Sequence, residues 1–130
     1  MSDKFILEII NPEASFLVDE NVNEVILPAI EGEMGILKDH IPIISFLKPG
    51  LIKVYSKDKE EIFYVEDGIV EFKDNSLSIL TSKIFNLREK DNSFIDQNIK
   101  DAEKLLEEEN LSDQIRFLTD QKIQVLKSLN

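Results

Sequence analysis

The sequence predicts a β-sandwich, a flattened barrel of about ten short strands, followed by an antiparallel two-helix hairpin. Three observations carry this. Before residue 88, short runs rich in Val, Ile, Leu and Phe are separated by turn residues every few positions. All four glycines and all four prolines fall in that part, and none lies between Arg88 and Asn130. After Leu87 the apolar residues change spacing, from strand-length runs to steps of three and four. The expected organisation is a β domain over 1–87 and a helical hairpin over 88–130.

Phe5–Ile10 reads as a first strand and ends at the turn signal Asn11-Pro12. Ala14–Val18 is a second, closed by Asp19-Glu20-Asn21, and Val22–Leu27 a third, stopped by Pro28. Glu31-Gly32-Glu33-Met34-Gly35 reads as a tight reversal, because glycine reaches φ > 0 without steric cost. Ile36-Leu37 then enters the interior, Lys38-Asp39-His40 returns to water, and Ile43–Leu47 is a strand-length apolar run closed by Lys48-Pro49-Gly50. Leu51–Tyr55 and Ile62–Val65 flank a charged loop over Ser56–Glu61. Asp67-Gly68 turns into Ile69–Phe72, Lys73-Asp74-Asn75 turns into Ser76–Thr81, and Ile84-Phe85 ends the series.

The remaining chain is read as helix. Asn92-Ser93 is a cap with Asp96 near the positive end of the helix dipole, and Ile95, Ile99, Ala102, Leu105 and Leu106 share one face. Glu107–Asn110 interrupts the pattern, and Asn110-Leu111-Ser112 turns and caps a second helix. There Ile115, Leu118, Val125, Leu126 and Leu129 form a stripe, broken by Lys122 where another apolar residue is expected. The first helix is acidic and the second slightly basic, which favours their pairing. Exposed ion pairs contribute only about 0–1 kcal/mol each, so apolar burial must supply most of the hold.

Bulk properties narrow the function. A net charge of −11 argues against a nucleic-acid partner, which needs clustered Lys and Arg, and against docking on anionic lipid. With no cysteine there is no thiolate metal site or cysteine nucleophile. Met1-Ser2-Asp3-Lys4 does not lead into a long apolar run, and Ile41–Leu47 is far short of the roughly 20 residues that span a bilayer. The expectation is a soluble cytoplasmic protein with no direct membrane insertion, reaching a membrane only through another protein.

The residues with chemical potential are few. His40 is the only histidine, and a metal site normally takes several ligands, so a contact role suits it better than catalysis. Glu31 and Glu33 could be paired carboxylates, but glycoside cleavage needs acids about 5–9 Å apart across a rigid cleft. Solvated loop acids are the plainer reading.

Glu31-Gly32-Glu33-x-Gly35, His40-x-Pro42 and Pro49-Gly50 stand at the spacing found in the epsilon subunit of bacterial F-type ATP synthases, which the chain resembles. The resemblance continues through Asn23–Pro28, Phe63–Glu71 and Leu77–Thr81. It implies a non-catalytic central-stalk subunit that couples the gamma subunit to the c-ring during proton-driven ATP synthesis, at the cytoplasmic face of the bacterial inner membrane. By resemblance, Glu31, Gly32, Glu33, Met34 and Gly35 contact basic loops of the c-ring, and His40 and Pro42 face gamma. The hairpin would meet the alpha and beta subunits and regulate ATP hydrolysis.

Some family members bind ATP through an Ile/Leu-Asp-x-x-Arg-Ala pattern and arginines on the second helix. Here the pattern reads Ile95-Asp96-Gln97-Asn98-Ile99-Lys100, with Asp96 kept and Ile99 in place of the arginine, and Arg116 is the second helix's only arginine. Asp96 and Arg116 are thus weak ATP candidates and no cofactor is expected, since a triphosphate clamp draws on several guanidinium groups. Lys38-Asp39 replaces a common Pro-Gly, which implies a turn of the same type but less rigid. An ATP-sensing module and a generic β-sandwich adaptor are the alternatives.

Overall fold

A computed structural model describes residues 3–12, 14–57, 59–87 and 92–129, with only the backbone at 14 and 15. Ten strands run in order as β1 (Phe5–Asn11), β2 (Ala14–Val22), β3 (Glu24–Ala29), β4 (Gly32–Leu37), β5 (Ile43–Leu47), β6 (Gly50–Ser56), β7 (Lys59–Val65), β8 (Gly68–Lys73), β9 (Ser76–Leu80) and β10 (Ile84–Asn86). Two helices follow, α1 (Asn92–Leu106) and α2 (Asp113–Ser128).

The strands form one curled sheet in the order β10-β7-β6-β3-β5-β8-β9-β1-β2, with β4 paired to β3 off this path. The sheet turns its corner where β3 meets β5 through the single pair Ala29 and Leu47. Pairing is antiparallel except between β1 and β9, which run parallel from Ile6–Ser76 to Ile10–Leu80. The curl encloses one core, in which Leu7, Ile9, Val25, Leu27, Ile36, Ile52, Phe63, Phe72, Leu77 and Ile79 are buried. Their positions alternate along each strand, as a half-buried pleated surface requires.

The expected strand count holds, and the differences lie at the turns. The reversal expected over Glu31–Gly35 is shorter: Ala29 pairs with Gly32, so only Ile30 and Glu31 turn, and Gly35 lies within β4. Gly32 at φ 138° supplies the conformation that re-enters the strand. Pro28 does not stop β3. It pairs with Glu33, and its carbonyl still accepts from the Lys48 N–H at 3.0 Å, a bond that needs no proline donor. Gly50 lies so close to Pro28 that an added Cβ would meet the proline ring at 2.5 Å. The loop after β6 is tighter than expected, because Ser56 pairs directly with Lys59.

The helices pack antiparallel, with Ile95 and Ile99 of α1 against Leu126 of α2. Both rest on the outer face of β6, β7 and β10 through Leu51, Tyr64 and Phe85. The Phe85 ring stacks edge-on with Phe94 at 4.7 Å and lies tilted against Tyr64 at 4.9 Å. Asn92 and Ser93 lie inside α1 and do not precede it, and any cap before them lies outside the described residues. Ser112 caps α2 as expected, accepting from the Ile115 N–H at 3.2 Å.

The buried face of α2 departs from the expected stripe. Thr119, Ile123 and Leu126 are buried, whereas Ile115 and Leu118 are exposed. Thr119 tolerates burial because its hydroxyl donates to the Ile115 carbonyl at 2.7 Å. Lys122, the apparent break, carries its ammonium out of this seam to Glu66 on the β-sheet side.

Candidate functional site

The acidic tip is a held projection. The Ile30 N–H donates to the Phe46 carbonyl at 2.9 Å, which pins the two-residue turn onto β5. Glu31 is exposed, yet its Oε2 accepts a 2.9 Å hydrogen bond from the hydroxyl of Ser45, a side chain only 5% exposed. Glu33 and Gly35 point outward along β4, whereas Met34 turns inward and packs against the core. The expected five-residue contact set is therefore split by strand alternation. Glu33 also has a different electrostatic neighbourhood from Glu31. The Tyr55 phenol is pushed up first by a side-chain hydrogen bond with Glu60, then by burial and by the charges of Glu60, Glu24 and Glu33.

His40 and Pro42 lie past the far end of β4, about 17–20 Å from the tip by strand rise. His40 is half-buried, with Nδ1 2.8 Å from the Ile41 carbonyl and its ring edge-on to Phe72 at 6.0 Å. Among the described residues no group of three or more His, Cys, Asp or Glu could hold a metal ion. No described helix is long and apolar enough to cross a membrane.

Sequence reasoning missed the apolar surface between these two points. Phe46 pairs with Ile69, Ile69 with Leu80, and all three stand outward, 54%, 46% and 50% exposed. With Ile30 and Pro12 they line an open groove of about 650 Å³ beside the tip. Towards His40 the exposed Ile41 and Ile44 extend it. The signal was in β5 itself. A strand with one wet face should alternate, yet Ile43–Leu47 is apolar at every position but Ser45, and that serine faces inward. Contiguous exposed apolar patches of this kind mark interaction sites.

The two ATP candidates are not brought together. Asp96 is in the second turn of α1, whereas the Arg116 guanidinium lies at the other end, donating to the Leu106 carbonyl at 3.1 Å and the Glu108 carbonyl at 3.5 Å. Ten residues of helix separate these points, about 15 Å. Arg116 thus caps the last carbonyl of α1 and holds the turn that follows it.

The chain thus presents a curled β-sheet with a pinned acidic tip, an apolar outer face and a helix pair packed on its side. Residues 4–86 match the family described as ATP synthase, Delta/Epsilon chain, beta-sandwich domain. The chain is 58% identical to the ATP synthase epsilon chain of Pelagibacter ubique over 130 residues, covering 100% of both. It is 36% identical to that of Dichelobacter nodosus over 107 residues, 82% of this chain and 74% of the relative. The fold is similar to a chain in the mitochondrial ATP synthase of Euglena gracilis solved with its c-ring, with TM-score 0.77, 21% identity and coverage of 99% and 81%. A central stalk and c-ring structure from Tetrahymena thermophila gives TM-score 0.70 at 15% identity, covering 98% and 97%. The chain belongs to the family of ATP synthase epsilon chains.

Proposed function

We propose that this chain is a non-catalytic central-stalk subunit of an F-type ATP synthase, coupling the gamma subunit to the c-ring during proton-driven ATP synthesis. The observation that carries the reading is the apolar face of Phe46, Ile69 and Leu80 lying beside a rigid acidic tip. Two different surfaces, one apolar and one charged, suit one subunit holding two partners. Glu31, Gly32, Glu33 and Gly35 meet basic groups of the c-ring, with Met34 supporting them from beneath. His40 and Pro42 border the apolar face and meet gamma. The β domain, residues 1–87, carries both contacts. The hairpin, residues 88–130, whose helices α1 and α2 rest on the side of the sheet, reaches the alpha and beta subunits when ATP hydrolysis is regulated. The protein works peripherally at the cytoplasmic face of the bacterial inner membrane.

The test is co-purification of the tagged chain with gamma, comparing wild type, a Glu31→Lys/Glu33→Lys variant and an 88–130 deletion, with ATP hydrolysis and ATP-driven proton pumping measured on the same reconstituted enzymes. Charge reversal is expected to spare gamma binding and lower pumping. Raised hydrolysis in the deletion would assign the hairpin a braking role. A wild-type chain that never binds gamma removes the reading.

A further inference from the structure

We propose that Ser45 is a positioning residue for Glu31, holding the carboxylate of the acidic tip in one orientation before its partner arrives. A glutamate on a two-residue turn ordinarily samples many rotamers in water. Here the backbone beneath it is fixed by the Ile30 N–H bond to the Phe46 carbonyl, one residue along β5 from Ser45. The Ser45 hydroxyl, buried on the inward side of the strand, reaches the carboxylate at 2.9 Å from Oε2. Buried hydroxyls are satisfied by nearby backbone or water in most proteins, and this one spends its donor on an exposed acid 14 residues away. An ionised carboxylate has about four acceptor positions. One hydrogen bond from Ser45 therefore leaves Oε1 and part of Oε2 open to a cationic side chain, at a fixed place beside the exposed Ile30. Removing rotamer freedom in advance strengthens binding without adding a contact.

The proposal rests on the reading that the tip meets the c-ring, and its test separates the two. In the full chain in solution, NMR couplings are expected to show Glu31 in one side-chain rotamer. Ser45→Ala averages it, and Ser45→Thr, which keeps the hydroxyl, preserves it. With ATP synthase depleted of this chain but retaining its c-ring, Ser45→Ala is expected to weaken rebinding roughly two- to twelve-fold, Ser45→Thr to leave it unchanged, and Ser45→Ala to add nothing in a Glu31→Ala background, which lacks the acceptor. A Glu31 side chain averaged in the wild type, or an equal Ser45→Ala loss in the Glu31→Ala background, overturns the positioning. A Glu31→Gln chain that rebinds as well as wild type, its native Glu31 rotamer being fixed, overturns the contact reading and the proposal with it.

Discussion

Asp39 and Asn75 exchange two hydrogen bonds across 36 residues of chain, the Asp39 N–H to Asn75 Oδ1 at 2.7 Å and the Asn75 Nδ2 to Asp39 Oδ1 at 3.0 Å. Both have left-handed backbones, φ 66° and 57°, which Asn and Asp tolerate better than other non-glycine residues. The Asn75 carbonyl also accepts from the Ile6 N–H at 3.1 Å, so this link ties the β4–β5 turn to the start of β1. The expected loss of rigidity at Lys38-Asp39 is thus countered from a distant turn. Asn75→Ala should cost about 1–2 kcal/mol by urea denaturation, from lost hydrogen bonds and a strained backbone. Asp39→Gly should fall within about 0.5 kcal/mol of wild type, because relief at positive φ offsets the lost bond. Equal losses in both variants would sink this account.

Tyr64 is fully buried beneath the helices, and its hydroxyl has no hydrogen-bond partner among the described residues. Leaving such a group unsatisfied costs about 1–3 kcal/mol. Tyr64→Phe should therefore raise stability by roughly 1 kcal/mol, read as a higher denaturation midpoint at unchanged slope. Burial, with a smaller contribution from Glu66, pushes the phenol well above its ordinary range. The folded phenol then keeps its proton while an unfolded tyrosine ionises near about pH 10. This contribution is fully present below that pH and falls as pH rises beyond it. Wild type should lose up to about 1.4 kcal/mol more per pH unit there than Tyr64→Phe, and parallel alkaline profiles would count against the assignment.

The Lys122–Glu66 pair joins α2 to the chain after β7, with side chains 18% and 20% exposed, and Lys83 lies 3.8 Å from the same carboxylate. Half-burial sets its strength between that of surface and buried pairs, about 1–2 kcal/mol. Lys122→Ala should speed amide hydrogen exchange in α2 while the strands are unaffected. Lys122→Met should have a smaller effect than Lys122→Ala, because it keeps an apolar stem packed in place while both variants leave Lys83 beside Glu66. Uniform exchange across α2 in both variants would show that packing alone holds it.

The same lysine shows what a sequence can and cannot disclose. Ten strands and two helices were legible because turn residues punctuate the first part and helical spacing fills the second. Register was less legible: one residue of difference in the tip turn decides that Met34 faces the core and Glu33 does not. Long-range polar links lay beyond reading, since Lys122–Glu66, Ser45–Glu31 and Arg116–Leu106 join positions that only the fold brings together. Ile115 and Leu118 fit the helical period yet stand exposed, because the period identifies an apolar stripe and not what covers it.

The Arg116 guanidinium is engaged at the C-terminal end of α1, on the Leu106 and Glu108 carbonyls. Arg116→Ala should lower hairpin stability, seen as faster amide exchange around Leu106, by about 0.5–1.5 kcal/mol. With Asp96 and the Arg116 guanidinium at opposite ends of α1, millimolar ATP is expected to leave the melting temperature of the wild type within about 1 °C, because only a ligand that binds the folded chain shifts unfolding. A rise of several degrees that Arg116→Ala abolishes would restore the nucleotide-sensing alternative.

The exposed row on β5, β8 and β9 yields the sharpest separation of fold from function. Ile69 sits between Phe46 and Leu80 and is 46% exposed, so a lysine there can keep its ammonium in water while its stem covers these neighbours. Ile69→Lys should change folding stability by no more than about 0.5 kcal/mol, as surface substitutions usually do. At the centre of an interface the same charge would be desolvated without a partner, and recovery of gamma with the tagged chain should fall about tenfold or more. Gln124→Lys, on an exposed position of α2, makes a like change in charge away from the row and should leave gamma recovery unchanged. Loss in both variants would point to net charge and not to the apolar face. Undiminished recovery in Ile69→Lys would mean that gamma docks elsewhere and that the row serves another partner.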